Sequence, residues 1–155
     1  MNGSIKRVLL LMAVCLTASC QRWEDRYLTR PVSETELIGR WQMTTASVDD
    51  LRRVGHVGDI NPARHTITLR SGGACHFATF LTALTPQQRP SQSLDRECAW
   101  TIQNEGRQKL LIDLSGDPPL HTHLYFGADE SGRLLLWRNA TDPDLELSVE
   151  YERRN

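Results

Sequence analysis

His121-Thr122-His123 is the densest cluster of chemically able side chains in the sequence. In a strand, alternate residues share a face, so both imidazoles would point the same way and could grip one metal ion. His65, His76 or Asp113 could supply a third ligand. Leu120, Leu124 and Phe126 claim the inward face of the same stretch, however, which turns His121 and His123 outward and makes them weak metal candidates. Asp142-Pro143-Asp144 offers carboxylate oxygens to calcium, but its chemistry is that of a turn. There is no nucleophile elbow, no phosphate-cradling glycine loop and no pair of carboxylates in a telling frame. These residues predict a protein that is not an enzyme and carries no cofactor.

The elements that would position these side chains are strands. From His65 onward the hydrophobic period is two. Ile67 and Leu69 share one face, and Ser71-Gly72-Gly73 turns the chain. Cys75, Phe77 and Thr79 then oppose His76, Ala78 and Phe80. Residues 82–95 are polar, hold Pro86 and Pro90, and read as the longest loop. Cys98, Trp100 and Ile102 share a face of the next strand. Leu110, Ile112 and Leu114 follow after a turn at Asn104-Glu105-Gly106. Leu120–Phe126 and Arg133–Arg138 form a hairpin, and Leu145, Leu147, Val149 and Tyr151 point inward from the last strand. Upstream, Leu37–Met43 reads as the first strand with Trp41 inward. A short helix follows, with Ser47 as its N-cap and Gly55 as its C-cap. The expected architecture is all-β: about eight strands in an antiparallel meander, closing into a small barrel that leaves no free edges, with a flattened sandwich of the same strands as the alternative.

Residues 1–20 belong to no such element. Lys6 and Arg7 precede an apolar run over Val8–Val14, and Leu16-Thr17-Ala18-Ser19 steps down to small residues before Cys20. Basic, apolar and small segments in that order make a secretory signal. The apolar run is shorter than the roughly 20 residues that span a bilayer. Small residues against a cysteine make it resemble a bacterial lipoprotein signal, with Leu16–Cys20 as the lipobox. The resemblance implies diacylglycerol on the Cys20 sulfur, cleavage before Cys20, and fatty acylation of the new amino group, with palmitate as a typical acyl chain. Gln21 in place of Asp implies sorting to the outer membrane, with the domain facing the periplasm.

The expected organisation is a signal peptide over 1–19, a lipidated tether over 20–34 and a barrel domain over 35–155. As flexible coil, about 14 tether residues reach roughly 20 Å. Trp23 and Tyr27 in it either rest at the lipid interface or fold back on the domain. Cleavage removes Lys6, Arg7 and no acid, leaving sixteen basic residues against nineteen acidic ones, a net charge of −3. So mild and interleaved a charge points neither to a nucleic-acid partner nor to an acidic lipid surface. With Cys15 cleaved away and Cys20 lipidated, Cys75 and Cys98 remain, and an oxidising compartment would join them as a disulfide.

Leu37-Ile38-Gly39-Arg40-Trp41 at the head of an eight-strand meander resembles the Gly-x-Trp strand of lipocalin-like (calycin) barrels. Together with the Thr66–Leu69 strand turning at Ser71-Gly72-Gly73 and the Asp142-Pro143-Asp144 turn, it resembles small uncharacterised bacterial lipoproteins with such a domain. The resemblance implies that Gly39 and Trp41 plug one barrel end, with Arg138 or Arg153 from a late strand packed across the indole. It also implies binding. The expected function is a membrane-anchored, non-catalytic binding or structural module of the cell envelope. The alternatives are a carrier of a small apolar ligand, an envelope inhibitor or immunity protein, and a metal-dependent enzyme. Ser131-Gly132-Arg133 lacks the tyrosine of the Ser-Gly-x-x-Tyr strand found in periplasmic lysozyme inhibitors.

Overall fold

The computed structural model describes residues 27–56, 60–81, 93–139 and 147–154. The lipobox, Cys20, Trp23, most of the 82–95 loop, Asp142-Pro143-Asp144 and Leu145 lie outside the described residues.

Eight strands run in sequence: β1 (Gly39–Met43), β2 (Thr66–Leu69), β3 (Ala74–Leu81), β4 (Ser93–Gln103), β5 (Lys109–Leu114), β6 (Leu120–Ala128), β7 (Leu134–Asn139) and β8 (Ser148–Arg154). Each pairs antiparallel with its neighbour, and β8 returns to β1 to close the barrel. Closure satisfies the backbone groups that an edge strand would leave open. The inward positions are mostly apolar, with Thr122 on β6 and Arg138 on β7 among the exceptions. Trp41, Met43, Ile67, Leu69, Phe77, Trp100, Leu110, Ile112, Leu124, Phe126, Leu136, Val149 and Tyr151 form one buried cluster with Cys75 and Cys98. Those two cysteines face each other directly across β3 and β4 and are disulfide-bonded, with Cα atoms 4.8 Å apart.

Two helices flank β1. Helix α1 (Glu34–Leu37) is a single turn, and α2 (Thr45–Arg53) buries Ser47, Val48 and Leu51. The N-cap of α2 is Thr44, not Ser47: the Thr44 hydroxyl accepts from the Ser47 N–H at 3.2 Å. Ser47 is inside the helix and spends its hydroxyl on β8, accepting from the Glu150 N–H at 2.8 Å. The sheet forces the early start, because Met43 is the last residue of β1 to pair and the chain must turn at once. The C-cap is Val54, with Gly55 one residue beyond it at φ 86°.

Three sequence expectations need correcting here. The first strand begins at Gly39 rather than Leu37, since residues 34–37 are helical. The fourth strand takes in Ser93–Asp95 from the expected loop. Residues 27–34 are not a free tether but a strap laid on the barrel. Tyr27 bridges to Gly127, and the Leu28 N–H donates to the Phe126 carbonyl at 2.9 Å. These contacts occupy the sheet position ahead of the start of β5, whose first residue, Lys109, pairs with Tyr125. Gln108 then grips Val32 from both sides, accepting from its N–H at 2.8 Å and donating to its carbonyl at 3.3 Å. The strap has no period because it crosses the barrel instead of joining the ladder along its length.

Candidate functional site

The end of the barrel where β1 begins is sealed. Trp41 is fully buried, and its indole N–H donates to the Leu37 carbonyl at 2.8 Å. Arg153 is its direct partner across β1 and β8. The Arg153 guanidinium donates to the Ile38 carbonyl at 2.8 Å and to the Glu36 carbonyl at 3.4 Å. It lies so close over Gly39 that an added Cβ would meet its Nε at 3.0 Å. Gly39 is also at φ 144°, a conformation side chains disfavour. Gly39, Trp41 and Arg153 thus form one unit, and the glycine is needed for both backbone and space. Trp100 adds a second indole at this end, donating to the carbonyls of Arg70 and Ala74 at 3.0 Å each.

Arg138 is not part of that unit. It pairs with Val149, four residues from Arg153 on β8, or about 13 Å along the strand. Its guanidinium donates to the Leu81 carbonyl at 2.7 Å at the opposite end of the barrel. Both arginines were candidates because sequence gives the strand but not the level at which a side chain sits. Burial lowers the Arg138 pKa, opposed by Tyr151, and burial raises that of the Tyr151 hydroxyl, opposed by Arg138. At the same end, buried His65 has Nδ1 2.7 Å from the Thr79 carbonyl. A carbonyl can only accept, so Nδ1 carries the proton. Thr79 is at φ 60° in a bulge where the β3–β4 register shifts, and His65 clamps it. Burial lowers the His65 pKa, partly opposed by this hydrogen bond.

His76, His121 and His123 are on the outside, each with its own partner. His121 meets Asp113 directly across the ladder at 2.6 Å. His123 meets the Tyr125 hydroxyl at 3.1 Å, and His76 pairs with Asp95. Burial and the positive charge of Lys109 and Arg138 lower the His123 pKa. Among the described residues, no three His, Cys, Asp or Glu side chains are grouped to hold a metal ion.

Sequence reasoning missed an aromatic cluster on the outer wall. Tyr125 and Trp137 face each other across β6 and β7 with ring centroids 5.0 Å apart. The Tyr27 ring lies 5.2 Å from Tyr125 and 5.0 Å from Trp137. Gly127, its bridge partner, has no side chain to obstruct it. Trp137 is only 3% exposed although it points away from the interior. The Arg107 guanidinium stacks over Tyr27, 4.1 Å from the ring centroid. Burial and Tyr27 raise the Tyr125 pKa. The available signal was two bulky aromatics at outward positions of neighbouring strands, a pattern that asks for a cover.

Among the described residues, clefts open at the sealed end and on the outer wall. One of about 390 Å³ is at the sealed end, with Arg30, Glu36, Trp41, Asp129, Arg133 and Arg153 in its lining. Its acids are held by neighbours. Arg30, then Ser33, pull the Glu36 pKa down to about 2. Asp129 is held well below the usual carboxylate range by Ser131 and Arg133. The other, of about 330 Å³, runs along the outer wall beside Trp137, Leu135 and Glu150.

Fold and site together define a closed, eight-stranded antiparallel barrel with one end sealed by a tryptophan and an arginine laid across a glycine. Comparison with known proteins adds no relative: no family model, no curated protein and no solved structure matches the chain.

Proposed function

We propose that the chain is a cell-envelope lipoprotein of lipocalin-like architecture, held on the membrane by acyl groups on Cys20 and acting as a non-catalytic binding or structural module. The basic, apolar and small segments ending at Cys20 support the anchor. Several acyl chains on one residue hold a protein stably, where one chain would not. The disulfide between Cys75 and Cys98 suits an oxidising compartment. Gln21 favours the outer membrane, with the domain in the periplasm.

The observation that carries the non-catalytic reading is the barrel wall itself. Its inward positions are occupied mainly by large apolar side chains in mutual contact, and the titratable groups among them, Arg138, His65 and Tyr151, are spent on main-chain carbonyls or core packing rather than grouped around an open space. Recognition then belongs to the surface, with an envelope protein as partner. The sealed Trp41 end leaves a second reading, a carrier of a small apolar ligand, since barrels of eight strands either fill with side chains or hold one such molecule. Native mass spectrometry of the acylated protein, released gently from membranes, separates the two. The proposal expects a mass equal to the acylated chain alone. A stoichiometric apolar adduct lost on organic extraction would replace it with the carrier.

A further inference from the structure

We propose that the outer face of β5 and β6, around Tyr27, is the surface that rests on the membrane, against anionic lipid headgroups. This rests on the acylation of Cys20 proposed above.

The argument begins with the length of the leash. The strap fixes the chain at Tyr27, through its bridge to Gly127 and the Leu28–Phe126 hydrogen bond. Seven peptide links separate Cys20 from Tyr27, so even fully extended they span no more than about 25 Å. An acylated Cys20 sits at the lipid interface. Tyr27 therefore stays within that distance of the headgroups, and so does the wall it is pinned to. The opposite wall, β2, lies half-way round the ring of eight strands from β6.

The chemistry of the near wall fits the contact. Lys109 points outward from β5 directly opposite Tyr125, and Arg107 stacks over Tyr27. Leu111 is an outward, half-buried leucine paired with His123. Two cations beside two tyrosines and a half-buried leucine make an interfacial surface, with rings at headgroup level and charges toward phosphate, and the acid on the same face, Asp113, is paired with His121. The neighbouring wall presents acids beside its aromatics: Glu150 faces Trp137, and Glu152 faces Leu135 while ion-paired with Arg154. Anionic lipid gains least on that side, which sets the direction of tilt. Weak attraction suffices, because the leash makes docking an intramolecular event at high effective concentration.

The test uses the full acylated chain in vesicles of phosphatidylethanolamine with a minority of phosphatidylglycerol. A photo-crosslinking benzoylphenylalanine replaces His123 on β6 in one variant and Thr68 on β2 in another. Flotation of the wild-type chain, but not of Cys20→Ala, first establishes the anchor. Lipid adducts from position 123 should then exceed those from position 68 by about fivefold, and the Arg107→Glu, Lys109→Glu pair should remove most of the excess. Equal labelling at the two positions from a chain that floats overturns the docking and leaves the anchor standing. A chain that floats no better than Cys20→Ala overturns the anchor, and the docking with it.

Discussion

The two ends of the barrel set different kinds of donor on main-chain carbonyls. At the sealed end these are the buried indoles of Trp41 on Leu37 and Trp100 on Arg70 and Ala74, with exposed Arg153 on Ile38 and Glu36. The guanidinium there stays at the rim, in water's reach. At the far end Arg138 and His65 are drawn inward, so burial depresses the pKa of both. The indoles do not titrate, so the sealed end answers to pH only through rim acids such as Glu36 and Asp129, well below the histidine range. Titratable groups inside make the other end sensitive to pH. The first arrangement suits a fixed plug and the second a place where the molecule responds to its surroundings.

Removing the plug should produce the largest effect. Trp41→Ala empties a fully buried position and should cost about 3–5 kcal/mol in urea unfolding. A loss near 1 kcal/mol would mean that this end is not the tighter one. Next, the double variant Cys75→Ala, Cys98→Ala removes a cross-link over a separation of 23 residues and should lose about 3 kcal/mol, read in the same way. Gly39→Ala should cost about 2 kcal/mol, because the new Cβ meets Arg153 and φ stays at 144°. Gly106→Ala, in open space at φ 72°, should cost about 1 kcal/mol. Equal losses would remove the close packing of Arg153 on Gly39 from the account.

The smallest effect sharpens the contrast in pH response. His65 has a folded pKa below its ordinary 6.5, so the unfolded chain binds more protons in the acid range. The stability this group contributes is present above pH 6.5 and is lost as pH falls below it. His123 is shifted the same way and adds to the slope. His65→Asn keeps a donor for the Thr79 carbonyl and cannot titrate. It should flatten the fall in melting temperature between about pH 6.5 and 5, while Trp41→Ala leaves the slope unchanged. A slope untouched by His65→Asn would contradict the role given to the far end.

How much of this was legible in the sequence depends on what each stretch packs against. The strands were readable because one face of each is buried and the other wet: Leu110, Ile112 and Leu114 announce β5 to the residue. The ring of eight strands and the Cys75–Cys98 pairing follow from the same alternation. The strap over residues 27–34 was not legible. Leu28, Val32 and Leu37 are held by the barrel at intervals that match no periodic element. The bulge at Thr79 was hidden for a related reason, since a single inserted residue breaks the period of two without leaving a turn residue behind. Gly39 and Trp41 were recognisable by spacing. The choice of Arg153 over Arg138 was not, because it depends on the register between β1 and β8.

The central claim is an acylated amino terminus mooring this barrel outside the cytoplasm, and tandem mass spectrometry of the amino-terminal peptide from membrane-extracted protein tests it most directly. The account predicts a mature chain that begins at Cys20, with diacylglycerol on its sulfur and a fatty acyl group on its nitrogen. A chain that retains residues 1–19, or one that begins elsewhere with Cys20 unmodified, would contradict it.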